Sequence, residues 1–185
     1  MVYAGRPSGV VSFNAFGSGT VTLNNDGALG YNAVLTSLDQ APDYAALVVN
    51  GNNAMYILGN TGGQNYIDFP VFGAGTLLIQ RPDGDTGSTY TINGDMSSFT
   101  GTLRYADNAI GGSMRWNSGG SNKMIGGPSV TFDLGAGTTN ITIRNAGSFM
   151  MGALLGGANS SVTLPNNSTM TFGRKNIDTT FSGRL

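Results

Sequence analysis

The sequence predicts an all-β fold wound as a solenoid of short stacked strands, and three observations lead there. Short apolar runs with alternating side chains recur along most of the chain at intervals of roughly 11 residues. The turns between them are rich in Gly and Asn, the residues that best tolerate left-handed backbone angles. No run carries enough apolar surface to be stable alone, so each must stack on the next. The composition agrees: 30 Gly, 19 Asn and ten acids that are all Asp make a poor helix former.

In chain order, residues 10–16 and 20–23 read as strands, the second closed by Asn24, Asn25, Asp26 and Gly27 through turn chemistry. Residues 28–45 are the least repetitive part and read as a short helical turn or a segment capping one end of the coil, where apolar core and strand edges are otherwise exposed. From residue 46 the rhythm is regular, with strands expected at 46–49, 55–58, 66–69, 76–79, 89–92, 102–105, 114–116, 130–134, 141–143, 162–164, 170–172 and 179–182. An antiparallel sandwich gives similar spacing. Two features favour the coil. Corners such as Gly51-Asn52-Asn53, Asn60-Thr61-Gly62-Gly63, Gly156-Gly157-Ala158-Asn159 and Pro165-Asn166-Asn167 recur, and the runs of three or four residues are short for a sandwich.

The 185 residues suffice for one domain, 1–185, with a real core, and 39 % hydrophobic residues argue against a disordered Gly-rich chain. A net charge of −1 with only 10 % charged residues offers nothing to a phosphate backbone, so no nucleic-acid partner is expected. The longest apolar run, 149–155, is interrupted by Gly152, so no membrane insertion is expected. The start, MVYAGRPSG, lacks the regions of a signal peptide, which suggests a module of a longer exported chain in tandem with other domains.

The absence of cysteine removes disulfides, thiolate nucleophiles and Cys-ligated metals. The absence of histidine removes the usual general base, the commonest zinc ligand and every Ser-His triad. Catalysis would fall to Asp, Arg, Lys or Tyr. Hydrolysis of a glycan needs two carboxylates at a set separation, and the Asp residues here are scattered singly. Asp133 lies between Phe132 and Leu134 and faces outward by alternation. The chain therefore reads as non-catalytic, with a polysaccharide lyase or hydrolase as the minor alternative.

Asp83-Gly84-Asp85 followed by Asn93-Gly94-Asp95 begins like a calcium loop. The full loop wants an oxygen ligand at Gly87 and a bidentate acid at Gly94, and neither position has one, so a tight turn is the preferred reading of Asp83 and Asp85. No cofactor is expected beyond that weak calcium candidate. The Thr-x-Thr pairs at 20/22, 89/91 and 169/171 put both hydroxyls on one face, as an ice-binding surface does and as any solvent-facing strand does.

Aromatic residues give the candidate site. A sugar ring stacks its C–H face on Tyr or Trp while its hydroxyls bond to Asn, Asp and Arg. Trp116, the one Trp, is flanked by Arg115 and Asn117; Tyr105 follows Arg104 and precedes Asp107. If their strands lie on neighbouring coils in register, Tyr105 and Trp116 share an exposed surface. The competing reading places such rings inside the coil, where they bury the most area.

The order Gly73-Ala74-Gly75-Thr76-Leu77, Phe99-Thr100-Gly101-Thr102-Leu103, Gly152-Ala153-Leu154-Leu155-Gly156-Gly157-Ala158-Asn159 and Thr179-Thr180-Phe181-Ser182-Gly183 resembles the autotransporter-associated β-strand repeat of bacterial surface and secreted proteins. The likeness covers about residues 71–185, with Arg184 standing where the pattern carries an apolar residue. It implies a right-handed, single-stranded parallel β-helix and a secreted or cell-surface location. The sequons at Asn140, Asn159, Asn166 and Asn167 then carry little meaning. The expected function is a non-catalytic carbohydrate-binding module for a plant-type polysaccharide such as xylan, carried beside a glycoside hydrolase. The alternative is a structural stalk or adhesin segment, stacking end to end with copies of itself.

Overall fold

A strand three to five residues long turns one side chain or two inward and the next outward, so its buried face is too small to persist unless further strands continue it. The computed structural model shows how the chain meets that requirement. It describes residues 2–5, 20–32, 46–57, 64–67, 70–80, 89–92, 94–106, 113–117, 127–144 and 148–185. Among these there is no helix, only strands and turns.

The strands are β1 (Val2–Gly5), β2 (Thr20–Leu23), β3 (Ala28–Asn32), β4 (Ala46–Val49), β5 (Asn52–Ile57), β6 (Gln64–Ile67), β7 (Val71–Gly73), β8 (Thr76–Gln80) and β9 (Thr89–Ile92). They continue with β10 (Thr102–Tyr105), β11 (Ser113–Asn117), β12 (Thr131–Asp133), β13 (Asn140–Arg144), β14 (Ser148–Met150), β15 (Ala153–Leu155), β16 (Ser161–Thr163) and β17 (Thr169–Thr171). Every ladder between them is parallel, and partners lie from 21 residues apart (Asn140 with Ser161) to 29 (Thr102 with Thr131). That rules out the sandwich, whose neighbouring strands run antiparallel.

One coil therefore holds three strands, one per side. The first side stacks β2-β4-β7 and, farther along, β14-β17; the second is a seven-stranded sheet, β1-β3-β5-β8-β10-β12-β15; the third stacks β6-β9-β11-β13-β16. Single bridges extend the sides, Gly73 to Phe99 on the first, Gly156 to Phe181 on the second and Ser161 to Arg184 on the third.

Register keeps inward positions above one another. On the second side Asn53, Leu77, Leu103, Phe132 and Leu154 form one column of buried side chains. Phe132 meets Phe149 of the first side across the interior at 5.7 Å between ring centroids, tilted by 56°. Each large apolar side chain so enclosed contributes about 1.5–3 kcal/mol.

Asn53 is the polar member of that column, 5 % exposed. Its side-chain carbonyl accepts from Gly27 N at 3.0 Å, and its amide donates to Asn50 O at 2.8 Å. The corner it closes turns at Gly51, where φ is +69°, and Asn25 Oδ1 reaches over from the preceding coil to accept from Asn52 N at 2.9 Å. Asn-rich corners thus bind successive coils to one another through side chains as well as backbone.

Several expectations need correction. Residues 28–32 are not part of a cap: β3 is an interior strand of the second side, flanked by β1 and β5, because Ala28, Leu29, Gly30 and Tyr31 fall in register with Ala54, Met55, Tyr56 and Ile57. Asn52 and Asn53 open a strand instead of filling a corner. The apolar run 149–155 is two strands, β14 and β15, on different sides of the coil, broken at Gly152. Residues 179–182 make a single bridge in place of a strand. The strand expected at 10–16 and the remainder of the proposed cap, 33–45, lie outside the described residues.

Candidate functional site

The aromatic pair does not form a joint surface. Tyr105 ends β10 on the second side, whose neighbours are β8 and β12. Trp116 lies in β11 on the third side, between β9 and β13. The two strands are successive sides of one coil, not neighbours in a stack. Tyr105 is also fully buried. Alternation is the physical reason: Leu103 points inward and Arg104 outward, so Tyr105 points inward, in register with buried Ile79. It is a core residue and is withdrawn as a sugar-stacking platform.

Arg104 does reach solvent. On the outer face of the second side its Nε lies 3.5 Å from Asp133 Oδ2, one coil away, with the two side chains 50 % and 23 % exposed. Asp133 faces outward, as alternation required, and its Oδ1 accepts from Gly135 N at 2.9 Å. A pair this exposed adds little stability, roughly 0–1 kcal/mol. It does set a guanidinium and a carboxylate side by side on an open face.

The backbone of Arg115, Trp116 and Asn117 runs in register with Thr142, Ile143 and Arg144. The placement of these three side chains, and the whole of Asp107, Asp83 and Asp85, lies outside the described residues. Among the described residues no group of three or more acids is gathered as a metal site would be, and no helix is long and apolar enough to cross a membrane.

The feature that sequence reasoning missed is the last coil. Three of the four exposed large hydrophobic residues among those described belong to it: Phe172 at 54 %, Ile177 at 48 % and Leu185 at 61 %. An open groove of about 450 Å³ runs along the same end, lined by Ser161, Val162, Thr163, Leu164, Arg184 and Leu185. The one sequence signal was Arg184, the departure from the repeat pattern. Its carbonyl accepts from Val162 N at 2.9 Å and its amide donates to Ser160 O at 3.0 Å, which fixes one wall of the groove.

Lys175 ties this coil down. Its amide donates to Gly152 O, one coil below, at 2.9 Å. Its ammonium continues past that coil to Thr131 Oγ1 and Thr100 O, each at 2.9 Å. Burial lowers its pKa from the ordinary lysine value.

Compared with family models, curated proteins and solved structures, the chain matches none.

Proposed function

We propose that the chain is a non-catalytic spacer, a stiff β-solenoid segment of a secreted or surface-displayed protein that holds other parts of a longer polypeptide apart. The observation that carries this reading is the unbroken register of the inward column from Asn53 to Leu154, in which each coil repeats the wall of the last. The sequence resemblance to the autotransporter-associated repeat supports it. So does the loss of Tyr105 from the surface, which removes half of the aromatic site on which glycan recognition was to rest.

Stiffness is the testable content. Six coil-to-coil steps separate β2 from β17, and at about 4.8 Å per step these strands stand about 29 Å apart. The chain has no cysteine, so Thr22→Cys and Thr171→Cys accept spin labels cleanly; both positions are exposed. A narrow distance distribution near that value, allowing for the label arms, is expected of a spacer. A broad or bimodal distribution would overturn it.

The second reading is carbohydrate binding, and Arg104 beside Asp133 favours it, because a half-exposed guanidinium and a carboxylate can bond adjacent sugar hydroxyls. Affinity electrophoresis against xylans, glucans and pectins tests it. Retardation that Arg104→Ala or Trp116→Ala weakens supports this reading, and migration unaffected by every glycan rejects it.

A further inference from the structure

We propose that the outer face of the second side binds an acidic glycan, with Arg104 holding a uronate carboxylate while Asp133, Thr102 and Lys175 take its hydroxyls. The inference deepens the carbohydrate-binding reading, on which it rests, by naming the charge of the ligand and the side of the coil that receives it.

This face does not depend on the length of the rod. Coils added at either end cover the ends of the stack and leave its sides in solvent. Alternation gives the second side two outward columns: Leu78, Arg104, Asp133 and Leu155 in one, and Thr76, Thr102, Thr131 and Ala153 in the other, with neighbours in register. Positions two apart along a strand are about 6.6 Å apart, and neighbouring strands about 4.8 Å. Thr102, Arg104, Asp133 and Thr131 therefore mark the corners of one small rectangle.

Lys175 reaches that rectangle from the turn after β17. Its ammonium bonds Thr131 Oγ1 and Thr100 O, each at 2.9 Å. Thr131 faces outward and is nevertheless only 6 % exposed, because the lysine lies across it. An ammonium has three N–H groups, so one remains for a ligand. Arg104 meets Asp133 through Nε at 3.5 Å, with its side chain 50 % exposed. Among the described residues no acceptor engages its two terminal nitrogens. The patch thus sets two cations against one carboxylate, a net +1 (2 − 1), on a chain whose net charge is −1. The hydrogen bonds that hold Lys175 fix it before a ligand arrives, so little rotamer freedom is lost on binding.

These groups select among ligands. The planar fork of a guanidinium suits a carboxylate, which it bonds at two points. Asp133 repels a second negative charge but accepts hydroxyl donors, which a sugar presents and the anionic oxygens of a phosphate do not. Thr76 and Thr102, partly exposed, add hydroxyls of their own. Leu78 and Leu155, partly exposed at the two ends of the first column, offer apolar ground for the C–H groups of a sugar ring. A neutral glycan would use the hydroxyls and the leucines but leave the surplus positive charge unmatched. Carboxylate, hydroxyls and C–H groups together describe a uronate-bearing polysaccharide.

Calorimetric titration of the chain with polygalacturonate, with the same polymer methyl-esterified, and with neutral xylan tests the proposal. Polygalacturonate should bind, less tightly as salt is raised, and the methyl ester, which keeps the sugar and removes the charge, should not. Arg104→Gln should weaken binding about tenfold, the scale of a lost charge-assisted hydrogen bond. Lys175→Gln repeats the test at the second cation, with circular dichroism checking that it folds. Arg184→Gln removes the same charge from the third side and should leave affinity unchanged. Equal binding of the methyl ester, equal losses from Arg104→Gln and Arg184→Gln, or indifference to both Arg104→Gln and Lys175→Gln would overturn the proposal. Binding of xylan alone would overturn it and leave carbohydrate binding standing, whereas no heat from any glycan would overturn both.

Discussion

Lys175→Met offers a sharp test of how the last coil is held. Methionine keeps most of the unbranched stem and its packing and removes the ammonium that bonds Thr100 O and Thr131 Oγ1. The exposed Thr100 carbonyl is rehydrated at little cost, but the buried Thr131 hydroxyl is left without its donor, at about 1 kcal/mol. The lost attraction of a charged donor adds to this, and relief of the lysine's own desolvation subtracts from it. The expected loss is about 1–2 kcal/mol at neutral pH.

The pH dependence of that loss follows from the direction of the pKa shift. Folding lowers the Lys175 pKa below 10.5 through burial. Between the lowered value and 10.5 the unfolded chain therefore holds more protons than the folded one, and stability rises with pH. Below that window the cost of burying the charge is present in full; above it the amine is neutral in both states and still has N–H groups for both acceptors. The stability gap between wild type and Lys175→Met should widen as pH rises toward 10.5. Urea denaturation followed by circular dichroism from neutral pH to that value reads the gap. Hydrogen exchange at neutral pH reads the same event locally, at the amides of Ser182 and Arg184 that hold the last coil to the one before it. Parallel pH curves together with unchanged exchange at those two amides would refute the argument.

Asn53→Leu should destabilise by about 1 kcal/mol although it places an apolar residue in an apolar column, because the Asn50 carbonyl loses the amide that donates to it and Gly27 N–H keeps only its bond to Asn24 O; urea denaturation showing a more stable variant would contradict this. Two glycine substitutions separate steric from conformational cost in the same assay. At Gly101 a methyl group would collide with the Gly75 carbonyl and the Phe99 ring, costing about 3 kcal/mol, whereas at Gly173 it meets nothing within 4 Å and only the φ of +87° opposes it, costing about 1 kcal/mol.

Strand positions were legible where alternation was clean. Thr20-Val21-Thr22-Leu23 and Thr102-Leu103-Arg104-Tyr105 appear with the bounds the pattern implies. β3 was hidden in the least repetitive stretch, which reads as a cap or helical turn; β7 is only three residues long and ends at Gly73; and β14 and β15 lie in what reads as one apolar run interrupted by Gly152. The error at Tyr105 had a different origin. The strand interval of roughly 11 residues was taken as the step from coil to coil, but three sides make one coil and the step is 21–29 residues. The interval locates strands; only the pairing fixes which ones touch. Arg104 facing outward was enough to turn Tyr105 inward, since alternation within one strand needs no knowledge of the stack. The Lys175 contact with Thr100 spans 75 residues, and no local pattern carries a contact of that reach.

The ladder bonds run from coil to coil, along the length of the rod. Tension applied between its ends therefore loads one coil's set of bonds at a time, as in a zipper, and the weakest coil yields first while the others stay wound. Each released coil exchanges one step of about 4.8 Å for its 21–29 residues of slack chain, about 70–100 Å of contour. A rod built this way gives way in stages under a pull, dissipating work at each release, and it rewinds against the template of the coils that remain.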